Sequence, residues 1–290
     1  MHQNQKIYNL QQIALDKNQN KHQIMKKISI LFISFLLFAC SQNPITGRKQ
    51  FTLLPDDQMN TMALQEYQQF LTDNKTKVVP SGADAEMVKR VGAKISAAVT
   101  EYMTQIGMAD KMKSYSWEFN VVKDSVANAW CMPGGKVVVY TGLLPITKTE
   151  AGLAVVMGHE ISHAIASHGN ERMSAQMLQE LGFSALDVAM ANKPEKTRSI
   201  FESAVGMGAE LGIMLPFSRR QESEADRMGL IFMAMAGYDP NEAVNFWTRM
   251  AVQSGGQSVP EFLSTHPSDE TRINDIQTKY LPEAMKYYKK

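Results

Sequence analysis

The chain has 290 residues, of which 44% are hydrophobic, so it is long enough to bury one sizeable core. Its 30 lysines and arginines nearly balance its 29 aspartates and glutamates, and the body of the chain contains no dense basic run. This balance argues against nucleic-acid binding and leaves the fold class undecided.

The N-terminal region predicts export and lipidation. Residues 1–24 are polar and rich in Gln and Asn, which indicates an extension upstream of the true start at Met25. Two lysines and an apolar run follow, and this run is too short to anchor comfortably across a bilayer. Residues 25–39 are therefore predicted to be a signal peptide, and the segment ending at Cys40 resembles a bacterial lipobox, in which the cysteine carries the lipid. The alternative is an uncleaved signal anchor.

The rest of the chain divides into a polar tether over residues 40–56 and a folded domain over residues 57–290. The spacing of apolar residues predicts two helices early in the body, one from Asp56 to Leu71 and one from Ala83 to Gln105. The alternation from Ser116 to Val122 predicts a half-buried strand.

A hairpin is predicted next in the chain. Asn128–Met132 and the β-branched run Lys136–Tyr140 are separated by Pro133-Gly134-Gly135, which is a turn signal. We expect these two runs to pair as antiparallel strands.

The segment VVMGHEISHA carries two histidines and a glutamate in an apolar helix, and Thr147 to Glu150 predicts a capping box at its start. His159 and His163 lie one turn apart, about 40° from each other around the helix. Both imidazoles can therefore bind one Zn²⁺ per chain, with Glu160 as general base toward the metal-bound water. The alternative is a chance occurrence of the H-E-x-x-H pattern.

A catalytic zinc needs a third protein ligand, and a downstream helix offers candidates. A capping box at Ser218 begins this helix, and Gly237 ends it. Spacing alone weakly favours Glu222 over Glu224, which is predicted to face solvent. Asp226 lies one turn after Glu222 and could accept the ring N–H of a ligand histidine.

The remaining segments receive simpler predictions. Met173 to Leu215 is predicted to form a helical hairpin for core packing or a lid rather than membrane insertion, because neither half has twenty uninterrupted apolar residues. Asp239 caps a further helix in which Trp247 is a packing residue. His168 is predicted to be a surface or supporting histidine, and a Gly- and Ser-rich loop precedes His266.

Four segments together are similar to one known family. HEISH, SRRQESEAD, NAWCMPGGKVVVYTGLL and THPSDETR resemble the HtpX-like and CAAX-prenyl-protease-like zinc metallopeptidases, peptidase family forty-eight. The lipobox followed by NPITGRKQF resembles the lipoprotein branch of this family, which is related to mitochondrial Oma-type proteases. The resemblance extends from Pro44 to Arg272. It implies an α+β, mainly helical zincin domain of the gluzincin type, with a small sheet and an H-E-x-x-H helix.

The resemblance also implies roles for individual residues. The family's downstream E-x-x-x-D matches Glu222 to Asp226, which makes Glu222 the third zinc ligand. Its segment before the Pro-Gly-Gly turn matches Asn128 and Ala129, on an edge strand that runs beside the bound peptide.

The family's late His-Pro and following arginine match His266 and Arg272. In relatives this histidine lies near the zinc, where it could block the water site or stabilise the oxyanion. Arg272 is the other candidate for the oxyanion donor. For His266 the blocking role is preferred.

The expected function is zinc-dependent cleavage of misfolded or misassembled proteins in a bacterial cell envelope. The lipid anchor predicts a membrane partner and a periplasm-facing domain, and Ser41 after the cysteine favours the outer membrane. Outer-membrane assembly machinery is a candidate partner. The alternatives are a non-proteolytic assembly chaperone or self-inhibited protease on the same fold, and, third, a hydrolase of non-peptide substrates. An intact Glu160 favours an enzyme.

Overall fold

The computed structural model describes residues 40–43, 45–190, 218–254, 262, 266 and 270–289. The predicted extension, the predicted signal peptide and the second half of the predicted helical hairpin lie outside the described residues. So does most of the loop that precedes His266.

The N-terminal segment is folded rather than an extended tether. Strands β1 (Cys40–Gln42) and β2 (Lys49–Phe51) pair antiparallel, and helix α1 (Asp56–Asp73) follows. Asn43 and Gln50 in this hairpin are buried. The expectation of a polar tether over residues 40–56 is therefore corrected: the segment forms a hairpin with two buried polar side chains, although others such as Lys49 are exposed.

A four-stranded sheet has the order β3–β4–β6–β5. Its strands are β3 (Val78–Val79), β4 (Glu118–Val122), β5 (Ala129–Met132) and β6 (Lys136–Tyr140). β4 and β6 are parallel, and the other two pairs are antiparallel. The predicted hairpin is thus confirmed, and β5 is an edge strand.

Helices make up most of the domain around this sheet. They are α2 (Ala83–Gln105), α3 (Ala109–Met112), α4 (Leu144–Thr147), α5 (Glu150–Ile165), α6 (His168–Met190), α7 (Arg219–Met235), α8 (Glu242–Ser254), α9 (Glu270–Asp275) and α10 (Leu281–Ala284), with a π-helical turn at Ile276–Tyr280. Helix α5 is central, because it packs against β5, α2 and α7. Among the described helices, none has the length and apolar character needed to cross a bilayer.

The helix starts confirm one predicted cap and correct another. Ser218 and Gln221 form the predicted capping box of α7. The predicted box starting at Thr147 is wrong, because Thr147 belongs to α4 and its hydroxyl donates to a carbonyl of that helix. Thr149 is the N-cap of α5, and its hydroxyl accepts a backbone N–H of the first turn.

Helices α5 and α7 cross at two glycines, which sets the distance between their side chains. A Cβ built on Gly158 would lie 2.8 Å from the carbonyl oxygen of Gly229, and one on Gly229 would lie 2.8 Å from the backbone of Gly158. Because neither residue has a side chain, the two backbones can approach closely. This contact places the polar residues of α5 directly opposite those of α7.

Candidate metal centre

Four residues from three segments place their donor atoms together in the interior. His159 and His163 come from α5, Glu222 comes from α7, and His266 precedes α9. All four are buried, and one ligand atom from each lies within 4.8 Å of the others. The structure therefore brings together both histidines of the H-E-x-x-H pattern, the expected third ligand and the late histidine.

The distances between these atoms fit a common cation. Nε2 of His159 lies 3.0 Å from Nε2 of His163 and 3.3 Å from Oε2 of Glu222, and His163 Nε2 lies 3.3 Å from Oε1 of Glu222. Tetrahedral zinc with bonds of about 2.0–2.1 Å separates its ligand atoms by roughly 3.3 Å. Nitrogen and carboxylate donors in this arrangement are the set that zinc takes in catalytic sites.

His266 reaches the same point from the opposite side. Its Nδ1 lies 3.2 Å from Nε2 of His159 and 3.0 Å from Oε1 of Glu222. Its ring stacks on Phe262, with 4.6 Å between the ring centroids. His266 is therefore placed as a fourth donor rather than beside the cluster.

Glu160 lies next to the cluster without joining it. Its Oε1 is buried, accepts no hydrogen bond from the described residues and lies 3.4 Å from Nε2 of His266. Burial raises the pKa of Glu160 above its ordinary value, although the positive charges of nearby histidines oppose this. A buried carboxylate with a raised pKa and an unsatisfied oxygen suits a group that accepts and returns a proton.

The pKa values of the two histidines of α5 are shifted in opposite directions. Burial holds the pKa of His163 well below its ordinary value. Burial also opposes the charged form of His159, but the charge of Glu222 and the hydrogen bond to Asp226 outweigh it and raise the pKa of His159 to about 9. A metal ion would therefore compete with a proton at His159 more than at His163.

Asp226 and Arg272 contact the ligand residues of the donor cluster. Asp226 Oδ1 lies 2.9 Å from Nδ1 of His159, as expected for a supporting carboxylate. Arg272 donates from Nε and Nη2 to the Asp226 carboxylate at 2.8 and 2.7 Å, and its Nη1 lies 3.0 Å from Oε2 of Glu222. That last contact lacks hydrogen-bond alignment, so Glu222 Oε2 accepts no hydrogen bond from the described residues.

Arg272 also stacks on Trp247, with 3.4 Å between its guanidinium carbon and the ring centroid. The structure directs the guanidinium at Asp226 and Glu222 and packs its face on an indole. This arrangement favours an orienting role for Arg272 over the oxyanion role considered from the sequence. Trp247 is buried as predicted, and the packing role now includes this cation–π contact.

A further set of polar residues lies behind His163 and was not predicted. His168 Nδ1 lies 2.9 Å from Nδ1 of His163, and His168 Nε2 lies 3.0 Å from Oε2 of Glu224. The prediction that Glu224 faces solvent is wrong, because the N-terminal hairpin covers it and leaves it 9% exposed. His168 does not continue α5: the chain turns at Ser167, which has a φ of 57°. The supporting role predicted for His168 as one alternative agrees with this position.

The predicted substrate strand is β5, and Ala129 is its first residue. The carbonyl of Asn128 accepts the amide N–H of Tyr140 at 3.0 Å, so this residue begins the pairing with β6. The preceding carbonyl, of Ala127, accepts the amide N–H of Phe262 at 3.2 Å. The segment that carries Phe262 and His266 thus contacts the chain where β5 begins.

The model of peptidase family M48 matches residues 90–279. The chain is 34% identical over 247 residues to the Schizosaccharomyces pombe mitochondrial metalloendopeptidase OMA1, covering 83% of this chain and 66% of that protein. The Saccharomyces cerevisiae protein of the same name is 30% identical over 95% of this chain and 78% of its own length. The Escherichia coli beta-barrel assembly-enhancing protease is 29% identical over 62% of this chain and 39% of its own length.

The chain spans 66% of the S. pombe relative and 35% of an Arabidopsis thaliana relative that it matches. The family match nevertheless includes α5, α7 and Arg272, and therefore the helices and the arginine that surround the buried donor cluster. The chain belongs to peptidase family M48, a family of zinc metallopeptidases.

Proposed function

We propose that this chain is a zinc-dependent endopeptidase in which His159, His163 and Glu222 bind the metal and Glu160 is the general base. One observation carries the proposal. The ligand atoms of the first three converge within 4.8 Å in the interior, and Glu160 lies beside them with an oxygen that accepts no hydrogen bond from the described residues.

The side chains of the site have different roles in peptide hydrolysis. Zinc, when bound, supplies a Lewis acid that activates water and polarises the scissile carbonyl. Glu160 takes a proton from the attacking water and delivers it to the leaving amine, and its raised pKa matches that task. Asp226 accepts the N–H of His159, which keeps Nε2 of that ring directed at the cluster.

The substrate is an extended peptide beside β5. In the described part of the sheet, Ala129–Met132 pairs only with β6, so its other edge offers backbone N–H and C=O groups to a peptide. Helix α5, which carries His159 and His163, packs against β5, and this packing supports a substrate path close to the donor cluster. Asn128 and Ala129 are therefore proposed to contact the substrate backbone near the scissile bond.

His266 is proposed to restrain the enzyme at rest. Its Nδ1 is directed into the donor cluster at 3.0–3.2 Å from His159 and Glu222, so it would be a fourth ligand of a bound zinc and would occupy the position that water needs. Its segment also contacts Ala127 immediately before the substrate strand. Movement of His266 out of the cluster would open this position to water.

The cellular setting is proposed to be a bacterial envelope, with a lipid anchor at Cys40 and a periplasm-facing domain, preferably at the outer membrane. The sequence motif at Cys40 supports this proposal, and the E. coli relative is named a beta-barrel assembly-enhancing protease. Misfolded or misassembled envelope proteins are the proposed substrates, and outer-membrane assembly machinery is a proposed partner.

The anchor is tested with Cys40→Ser, which should release the protein from the membrane fraction or leave an unprocessed precursor. Unchanged fractionation with the same mature mass would show that Cys40 carries no lipid. The substrates are identified by mass spectrometry of envelope proteins that accumulate when Glu160 is replaced by Gln.

A non-proteolytic assembly chaperone on the same fold is the second candidate. Only the four-donor cluster favours this candidate. If His266 also bound the metal, the coordination shell would be closed, as in structural zinc sites. The two candidates differ in a simple assay: casein cleavage that is lost with a chelator and restored by zinc supports the peptidase. A zinc-loaded protein that binds unfolded casein without cleaving it, even after His266→Ala, supports the chaperone.

A further inference from the structure

Asn43 and residues 45–54 form an N-terminal segment that we call the strap. The strap is hydrogen-bonded to the end of α5 and to α6. Gln50 of the strap donates to the carbonyl of Ala166 at 2.7 Å, where α5 ends. The amide of Leu53 donates to Ser174 at 2.8 Å, and the carbonyl of Leu54 accepts from Asn170. The strap is thereby fixed along α6 and the end of the helix that carries the metal-binding histidines.

Arg48 is the centre of the strap. Its Nη1 and Nη2 donate to the two carboxylate oxygens of Glu171 at 2.6 and 2.7 Å, and its Nε donates to Oε1 of Glu224 at 2.7 Å. The Arg48 side chain is 9% exposed. Such paired contacts to carboxylates fix both the position and the direction of the partner groups.

Glu224 receives two further donors from the same strap. Thr46 Oγ1 donates to Oε1 at 3.1 Å, and Asn43 Nδ2 lies 3.3 Å from Oε2. The carboxylate is thus held by three strap residues. Its Oε2 also accepts from Nε2 of His168.

The hydrogen bond from His168 to Glu224 determines which ring nitrogens of His168 and His163 carry a proton. Because Nε2 of His168 donates to Glu224, a neutral His168 has a lone pair on Nδ1. That nitrogen faces Nδ1 of His163 at 2.9 Å, so Nδ1 of His163 carries the proton and Nε2 carries the lone pair. His163 Nε2 is the atom that lies in the donor cluster.

The two ligand histidines of α5 are therefore oriented by different routes. His159 is held directly by Asp226, whereas His163 is held by His168 and Glu224. We infer that Arg48 is a positioning residue of the metal centre, acting through Glu224 and His168 to direct Nε2 of His163 at the ion. This inference rests on the proposed metal site.

The strap lies close in sequence to the proposed lipid anchor. Its first residue follows Cys40 by three positions, so the segment next to the proposed lipid anchor also orients a zinc ligand. Displacement of the strap would reach His163 through the hydrogen bonds of Glu224 and His168.

The test uses the full chain in detergent and compares Arg48→Met with Arg227→Met. Arg227 is the matched control, because it also makes a two-pronged pair, with Glu283, and lies on α7, where no hydrogen bond or ion pair among the described residues joins it to the cluster. Zinc affinity is measured by competition with a chromogenic chelator, and thermal stability is measured on the zinc-free protein. Arg48→Met should weaken zinc binding by about 10- to 100-fold, the scale known for partners of metal ligands, and Arg227→Met by less than about twofold.

A double-mutant cycle tests the route through His168. In the His168→Phe background, Arg48→Met should weaken zinc binding by less than about twofold, because the connection to His163 is already cut. A full loss in that background would overturn the route. Unchanged zinc affinity in Arg48→Met, with a thermal shift like that of Arg227→Met, would show that Arg48 only stabilises the fold.

If Arg48→Met does not fold, Thr46→Val keeps the shape of the strap and removes one hydrogen bond to Glu224. It should weaken zinc binding by about threefold, at the low end of what one lost hydrogen bond contributes, because Glu224 keeps its other donors. An unchanged affinity would contradict the inference. A wild-type protein that binds no zinc would instead overturn the metal site itself, and the inference with it.

Discussion

Gly158 and Gly229 touch where α5 crosses α7, and this contact brings His159 within hydrogen-bonding distance of Asp226. The backbones are so close that a Cβ on either glycine would lie 2.8 Å from backbone atoms of the other helix. The Nδ1 of His159 consequently lies 2.9 Å from Oδ1 of Asp226. The metal centre thus depends on a close approach of two glycines that are not themselves metal ligands.

Gly158→Ala should destabilise the zinc-free protein by about 1–3 kcal/mol, because the clash is with backbone and cannot be relieved by a rotamer change. It should also weaken zinc binding, since the helices must separate. Gly182→Ala is the control, because in the described part of the chain no atom outside its own helix backbone lies within 4 Å of its Cβ position. Alanine there should leave stability unchanged or raise it by up to about 1 kcal/mol. Denaturant unfolding that gives the same result for both variants would contradict this account of the crossing.

His266→Ala should raise basal proteolysis, because it removes the fourth donor from the cluster. The measurement is casein cleavage by the wild type and the variant at matched zinc content. If His266 only stabilises the oxyanion, the same change should lower kcat by roughly 10²–10³. A fall would therefore refute the restraint, and equal rates would show that His266 has neither role.

Glu224→Gln should make stability less dependent on pH. Burial alone would raise the pKa of Glu224, but its hydrogen bonds from His168 and Arg48 lower it to about 2, below its ordinary value of 4.5. A depressed pKa contributes stability that is present above pH 4.5 and disappears as the pH falls toward 2. The full contribution is on the order of 3 kcal/mol or less.

The measurement is urea unfolding of the zinc-free wild type and Glu224→Gln between pH 7 and pH 3. The difference in their free energies of unfolding should be largest above pH 5 and should shrink toward pH 3. Glu86→Gln, at a surface carboxylate, serves as control. A difference that stays constant over this range would mean that Glu224 is not held as an ion by the strap.

Much of this architecture could be predicted from the sequence, because its signals are local. Apolar spacing predicted α1 and α2, and the Pro-Gly-Gly turn predicted the pairing of β5 with β6. The one-turn spacing of His159 and His163 placed both rings on one face. Spacing alone favoured Glu222 only weakly, and the choice required the family resemblance.

The surroundings of the site could not be predicted, because they depend on distant parts of the chain. Spacing gives the direction of Glu224 around α7 but not the strap that covers that face. Short polar strands such as β2 have no strong hydrophobic pattern, so Arg48 was assigned to a tether. No signal in the sequence predicts the backbone turn at Ser167, which directs His168 at His163.

The central claim is that Glu160 performs the proton transfer beside a metal held by His159, His163 and Glu222. Its most direct test is the rate of casein cleavage by Glu160→Gln, measured together with zinc content, in a protein lacking residues 1–40. The account predicts about one zinc per chain and a cleavage rate lowered by roughly 10²–10⁴, the usual contribution of a general base. Wild-type cleavage by the zinc-loaded variant would contradict it.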